Sequence, residues 1–197
     1  IRFAQQTAQA KTGILLPEFK ESEAWLIESG NDFARQINDT FYNDGVYFEL
    51  ALGYQLGGME NYRATYVLAT TNNRLDKFDS SFKSKLHNAC RFIMNIIWPD
   101  YTWECFNDGF AQTKSVLLRN MRNYSIMFPD DPELKWMGTD GAEGTKPTST
   151  VISFSDGGYH ILRNGWDTKS TMLILKNNWN PGNQWHANMD NGTIALW

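Results

Sequence analysis

Apolar residues recur at helical spacing through roughly the first 130 residues, and beyond residue 147 they gather into short β-rich runs. Phe3, Ala4, Thr7, Ala8, Lys11 and Ile14 set a first helix over residues 1–16, with Gly13 and Pro17 marking its exit. A second helix is expected to open at Pro17, a natural first helical position, with Glu18 and Glu21 at the positive end of its dipole. Its stripe is Leu26, Phe33, Ile37 and Phe41, and the turn Asn43-Asp44-Gly45 ends it. Residues 48–69 predict a third helix, interrupted by Gly53, Gly57 and Gly58, each of which costs about 1 kcal/mol relative to alanine in a helix interior. Such glycines imply a break or the close approach of another body, whether a bulky substrate or a second helix. Asp79 is the expected N-cap of a fourth helix with Phe82, Leu86, Ala89, Ile93 and Ile97 on one face, ended by Pro99. Leu117, Met121, Tyr124 and Phe128 mark a fifth, stopped by Pro129. Five amphipathic helices with no strand between them form an all-α array.

Between residues 131 and 147 the composition shifts to Asp, Gly, Thr and Pro, which reads as a linker despite a short helical pattern around Leu134-Lys135-Trp136. Residues 151–154, 159–162, 171–175 and 193–196 are then short and β-rich, separated by Asp156-Gly157-Gly158 and other turn signals. They predict the start of an antiparallel sheet. The fold class is therefore α+β, with a helical region over 1–130, a linker over 131–147 and a sheet region over 148–197.

With 42% hydrophobic and 14% aromatic residues, the 197-residue chain can bury a sizeable core, which excludes a disordered segment. A net charge of −4 gives no global attraction for a polyanion, so no nucleic-acid partner is expected and an acidic ligand needs a local basic lining. Lys83, Lys85, Arg119 and Arg122 read as solvated helix faces. Cys90 and Cys105 make no disulfide framework and, beside aromatic or aliphatic neighbours, are expected as buried structural thiols. No apolar run is long enough to span a bilayer, and no signal peptide opens the sequence. The chain opens inside a helical pattern and stops inside a strand pattern, so both ends are expected to be cut from a longer protein. Residues 1–197 alone are then expected to associate through bare apolar stripes and an open sheet edge.

Candidate chemistry concentrates in Gln184-Trp185-His186-Ala187-Asn188-Met189-Asp190-Asn191-Gly192-Thr193. His186, one of three histidines, stands among polar turn formers just before an apolar run, where a loop would present its imidazole at a sheet edge. The plain alternative is a loop histidine that only hydrogen-bonds the backbone. This block resembles the histidine motif of the heparinase II/III-like polysaccharide lyases, and most closely their heparinase III branch. Asp44-Gly45-Val46-Tyr47-Phe48-Glu49 leading to Gly53-Tyr54 resembles the family's catalytic-tyrosine helix. Phe154-Ser155-Asp156-Gly157-Gly158-Tyr159, with Leu162-Arg163-Asn164-Gly165-Trp166-Asp167, resembles its first sheet hairpin, and Leu16-Pro17-Glu18-Phe19-Lys20 is a weaker match.

The resemblance implies an incomplete (α/α) toroid followed by the first strands of an antiparallel β-sandwich, in a periplasmic or secreted enzyme acting on an acidic glycosaminoglycan. It implies cleavage by β-elimination at a uronic acid, with Tyr54 and His186 as acid and base. Such a reaction also needs a group that neutralises the uronate carboxylate; the family's asparagine for this falls, by register, at or just before Ile1, so the fragment itself is expected to be inactive. An ordinary tyrosine, with a pKa of about 10, needs roughly 4 kcal/mol of differential stabilisation to ionise at pH 7, whereas a histidine needs almost none. Tyr54 is therefore expected to protonate the leaving oxygen, and to serve also as base when the C5 proton lies on the same side, with Arg163 helping to hold it ionised. His186 is base for the opposite epimer or positions the carboxylate. Glu49 is expected to orient its neighbours, Asp190 to support the site or shape a turn, and Asn188 to supply one oxygen ligand to a structural divalent cation, calcium or zinc, with a hard cation suiting it better. No organic cofactor is implied. Other readings are a lyase for another uronate polysaccharide such as alginate or chondroitin, and a non-catalytic glycan-binding toroid using Trp136, Trp166, Trp179 and Trp185 as stacking platforms. An inverting glycoside hydrolase would need two well-placed carboxylates, and no convincing pair is visible.

Overall fold

The computed structural model describes residues 2–178 and 190–197. Among them the order is α1 (Arg2–Leu15), α2 (Ser22–Thr40), α3 (Leu52–Thr71), a 3-10 turn (Leu75–Lys77), α4 (Ser80–Ile96), α5 (Lys114–Met127), α6 (Pro132–Gly138), β1 (Val151–Phe154), β2 (Tyr159–Arg163), β3 (Met172–Lys176) and β4 (Thr193–Leu196).

The predicted stripes are the buried faces. Leu26, Phe33 and Ile37 of α2, Phe82, Leu86, Ala89 and Ile93 of α4, and Leu117, Met121 and Tyr124 of α5 are all buried. α1 packs on α2 and α3, and α2 packs on α4. Phe33 meets Phe82 at 5.6 Å and Tyr62 at 5.8 Å between ring centroids, edge to face. Each such burial stabilises by about 1.5–3 kcal/mol.

Three boundaries differ from expectation. α2 opens at Ser22, not at Pro17, because residues 16–21 fold as turns: Phe19 N donates to Leu16 O at 3.3 Å and Ser22 N to Phe19 O at 3.1 Å. α3 opens at Leu52, not at 48, because Leu50 has a left-handed backbone (φ 61°) that no helix accommodates. The expected linker over 131–147 contains α6, whose Asp131 cap accepts from Glu133 N at 3.0 Å and Leu134 N at 3.1 Å, with Pro132 in the first turn. Leu134 and Met137 join the core, so tertiary burial overrides a composition that reads as loop. Cys90 is buried as expected, but Cys105 is exposed in the loop between α4 and α5.

The sheet is an antiparallel meander in the order β1-β2-β3-β4. Its inner face, Phe154, Tyr159, Ile161, Met172, Ile174 and Ala195, is buried. Phe92 of α4 meets Phe154 at 4.9 Å and Tyr159 at 5.3 Å, so sheet and helices share one core. On the outer face Val151, Leu162, Leu173 and Leu196 align in one cross-strand row, and Val151, Leu162 and Leu196 are exposed.

Candidate functional site

The segment before α3 is shaped by its neighbours. Gly45 N closes onto Tyr42 O at 3.0 Å, and the buried Gln55 side chain accepts from Tyr47 N at 2.6 Å while donating to Gly45 O at 2.8 Å. Phe48 N donates to Thr40 O at 3.0 Å. This scaffold delivers Tyr54, in the first turn of α3, to a cleft of about 560 Å³ whose lining includes Arg35, Gln36, Asp39, Tyr47, Gly57 and Asn61. The volume falls within the roughly 300–1,000 Å³ typical of small-molecule sites.

Three phenols border this cleft. Tyr62 is buried, its hydroxyl 2.9 Å from Thr40 Oγ1; burial pushes its pKa up to about 12, against a smaller opposing effect of the Thr40 bond. Tyr47 is raised further, first by burial and then by the charge of Glu49, to which its hydroxyl donates. Both stay protonated at neutral pH. Tyr54, 37% exposed, is the phenol that opens into the cleft. Glu49 lies buried on Tyr47, one residue removed from the solvent-facing phenol rather than in open solvent.

The three glycines of α3 have separate reasons. A side chain at Gly53 would run into the Phe110 ring, and one at Gly58 would come within 3.2 Å of the Tyr47 ring. Gly57 faces open space at the cleft. The approaching body is therefore a loop aromatic at Gly53, not a helix, and room for a ligand arises at Gly57 alone.

The sheet reaches the same segment from behind. Asp190 accepts a hydrogen bond from Asn107 N and lies 3.7 Å from Lys176 Nζ, while Lys176 donates to Asn107 Oδ1. Asn107 Nδ2 in turn donates to Glu49 O at 3.2 Å. Asn191 Oδ1 accepts from Asn178 N at 2.8 Å, and Gly192 N donates to Lys176 O at 2.8 Å, so Asp190 and Asn191 also shape the turn into β4. Both ends of the β3–β4 connection are thus fixed beside the entry to the tyrosine helix. His186 and Asn188, with Trp179 and Trp185, fall within residues 179–189 and lie outside the described residues.

Arg163 is placed elsewhere than expected. It follows Tyr159 and Ile161 at an inward position of β2, donates from Nη2 to Asn95 O at 2.7 Å, and stacks over Trp166 at 3.7 Å. Burial pushes its pKa down to about 10, which leaves it charged at neutral pH. It joins sheet to helix and does not line the cleft, so it is no partner for Tyr54 there. The cation that does line the cleft is Arg35, from the polar side of α2, paired with Asp32. Nothing in the sequence marks Arg35 out, because one arginine opposite Phe33 and Ile37 looks like any solvated helix face. Trp166 is buried, with Nε1 donating to Ser149 O at 3.0 Å, and Trp136 packs against the core; neither is an open sugar platform.

A second cavity, about 640 Å³, lies where α4 meets the junction of α5 and α6. Four of its polar side chains are tied to one another: His87 Nε2 is 2.8 Å from Asp131 Oδ2, and Arg91 bridges Asp131 at 2.8 Å and Glu133 at 2.5 Å. Burial raises the Asp131 carboxyl, but the Leu134 amide, Arg91 and His87 outweigh it and hold the group below the usual carboxylate range. No group of three or more His, Cys, Asp or Glu side chains able to hold a metal ion occurs among the described residues.

Comparison with known proteins gives this geometry a family. The family model for the heparinase II/III N-terminus matches residues 1–136. A heparin-sulfate lyase of Bacteroides stercoris is 36% identical over 186 residues, covering 94% of this chain and 28% of that protein. A heparin-sulfate lyase of Bacteroides thetaiotaomicron is 33% identical over 215 residues, covering 100% of this chain and 31% of that protein. The crystal structure of heparan sulfate lyase HepC from Pedobacter heparinus superposes with a TM-score of 0.94 at 28% identity, covering 100% of this chain and 30% of that one. The chain therefore spans about 30% of the length of these relatives, and it shares their helical region followed by an antiparallel sheet. Since the matched region includes every helix that builds the Tyr54 cleft, this chain belongs to the heparinase II/III family.

Proposed function

We propose that the full-length protein carrying this chain is a polysaccharide lyase that cleaves heparan-sulfate-type glycosaminoglycan by β-elimination. The observation that carries the reading is the exposure of Tyr54, alone among the three phenols bordering the cleft, at the start of a helix whose entry turn is tied to the sheet through Asn107. In the reaction a base removes the C5 proton of a uronate, the electron pair forms the C4=C5 bond, and the C4–oxygen bond breaks as the leaving oxygen gains a proton. No water is consumed. Tyr54 donates that proton. When the C5 proton lies on the same side as the leaving group, Tyr54 is also the base; His186 is base for the opposite epimer or positions the carboxylate.

Arg35 is the cationic side chain among the described residues of the cleft, and Asp39 stands on the same lining. One charge of each sign suits a polymer with few sulfates better than a dense polyanion, so heparan sulfate of low sulfation is the preferred substrate. In this reading residues 1–130 form the C-terminal part of an (α/α) toroid, and the sheet is the first part of a β-sandwich. Asn188 would give one oxygen ligand to a structural divalent cation; the described residues supply no donor set for it, and no step runs through a metal. No helix among the described residues is long and apolar enough to cross a membrane. An extracellular glycan as substrate puts the enzyme in the periplasm or outside the cell.

The test is to incubate the full-length protein with heparan sulfate, heparin, chondroitin sulfate and alginate and follow the ultraviolet absorbance of the new double bond. Absorbance should rise fastest on heparan sulfate. No rise on any of the four would overturn the reading; saturated product ends would point to a hydrolase, and binding without cleavage to a glycan-binding module.

A further inference from the structure

Two non-glycine residues with left-handed backbone, Leu50 (φ 61°) and Asn107 (φ 57°), meet in one hydrogen-bonded network. For a leucine this conformation is strained and persists only where the surroundings enforce it. Leu50 is buried; its N–H donates to Tyr47 O at 2.9 Å and its carbonyl accepts from the Tyr159 hydroxyl at 2.6 Å. The carbonyl of Glu49 accepts from Asn107 Nδ2. This turn leads directly into the helix that carries Tyr54.

The other end of the network is a buried lysine. Lys176 is 1% exposed, continues the inward alternation of Met172 and Ile174, and has its ammonium 5.9 Å from the Phe106 and Tyr159 ring centroids. An apolar residue would fill that strand position without the desolvation of a charge. What lysine adds is a donor fixed on Asn107 Oδ1 beside the Asp190 carboxylate. Asparagine is uniquely suited to the middle of this chain of bonds. It tolerates the left-handed backbone, and its amide accepts from Lys176 while donating to Glu49 O, which aspartate cannot do.

We infer that Lys176 and Asn107 are positioning residues: together they hold the strained Glu49–Leu50 turn against the sheet and thereby set the placement of Tyr54. For turnover, this rests on the lyase reading above.

The test uses the full-length protein with Lys176→Met, which keeps the bulk of the side chain, and Asn107→Asp, which keeps the backbone tolerance and the lysine contact but loses the donor to Glu49. Amide hydrogen exchange is followed over residues 48–54 together with steady-state cleavage of heparan sulfate. Both variants should exchange these amides about tenfold faster, with α4 and α5 unchanged, and kcat should fall about 10- to 100-fold with KM within about twofold. Exchange over 48–54 equal to wild type overturns the proposal, as does faster exchange with kcat unchanged. Failure of both variants to fold also overturns it, since the network would then serve the fold as a whole. If the exchange pattern appears but the wild-type protein cleaves none of the four polysaccharides, the lyase reading falls and the hold on the turn stands.

Discussion

The Tyr54 cleft and the His87–Asp131 cavity are similar in size but built on different helices, the first on α2 and α3 and the second on α4 and the α5–α6 junction, and their polar groups face different things. In the cavity the buried carboxylate is already fully engaged: Asp131 takes His87, Arg91 and two backbone amides, and Arg91 reaches on to Glu133. In the cleft the tyrosine hydroxyls are graded from buried Tyr62 to exposed Tyr54, and the most exposed one is left facing the space a ligand would enter. A dense knot of ionisable residues is therefore a poor guide to the reactive place here. Satisfied charges tie elements together, and the cavity they border is the seam between α4 and α6.

The comparison is sharpest in two substitutions with opposite signatures. Tyr54→Phe in the full-length protein should lower kcat on heparan sulfate by about 10²–10⁴-fold with a much smaller loss in melting temperature than Asp131→Ala, since the Tyr54 side chain is exposed. Asp131→Ala should do the reverse. It deletes the α6 cap, worth about 0.5–2 kcal/mol, and leaves Arg91 without its inner partner; Arg91 is about one-third exposed, so the loss should total about 2 kcal/mol. Turnover well below the melting temperature should stay near wild type. Retention of more than a tenth of the activity in the tyrosine variant, or an equal fall in the aspartate variant, would erase the distinction between the two regions.

Acid should find the same seam. The Asp131 carboxyl sits lower in the fold than in the unfolded chain, so its contribution is complete above the ordinary unfolded value of about 3.9 and is lost as pH falls through the folded value. Denaturant midpoints measured from pH 6 downward should fall in that window, and Asp131→Asn should flatten the fall. An unchanged acid limb in the variant would mean that other carboxylates govern it.

What could be read from the sequence divides along the same line. The helices were legible because Phe33, Ile37, Phe82 and Leu86 repeat at the spacing that one buried face requires, and the four strands because short β-rich runs alternate with Gly and Asp turns. α6 was hidden because seven residues hold too few turns for a period to show, and its stability comes from a cap and from burying Leu134. Tyr54 could be picked out only by resemblance; periodicity alone makes it one more helix tyrosine. Arg163 was misplaced because its position in the sheet motif says nothing of which face it takes, whereas the inward set Tyr159, Ile161 and Arg163 does. Asn107 and Lys176 left one faint trace, a lysine at an inward position of an otherwise apolar strand. Their meeting joins a loop after α4 to β3 across nearly 70 residues, which no local pattern encodes.

The smallest expected effects separate the two glycines nearest Tyr54. Gly57 faces open space, so a methyl group there meets nothing and the helix gains about 0.5–1 kcal/mol from the better helix former. The same methyl enters the cleft, so KM for heparan sulfate should rise a few-fold while kcat holds. At Gly53 the added carbon collides with the Phe110 ring, which is 53% exposed and can swing outward, while its backbone carbonyl stays bonded to Trp103 Nε1 at 2.9 Å. Lost ring contact then offsets the helix gain, leaving Gly53→Ala within about 1 kcal/mol of wild type and less stable than Gly57→Ala. Denaturant unfolding of the two variants orders them directly. If Gly53→Ala were the more stable, the Phe110 contact would contribute nothing, and the loop between α4 and α5 would brace the tyrosine helix through Asn107 alone.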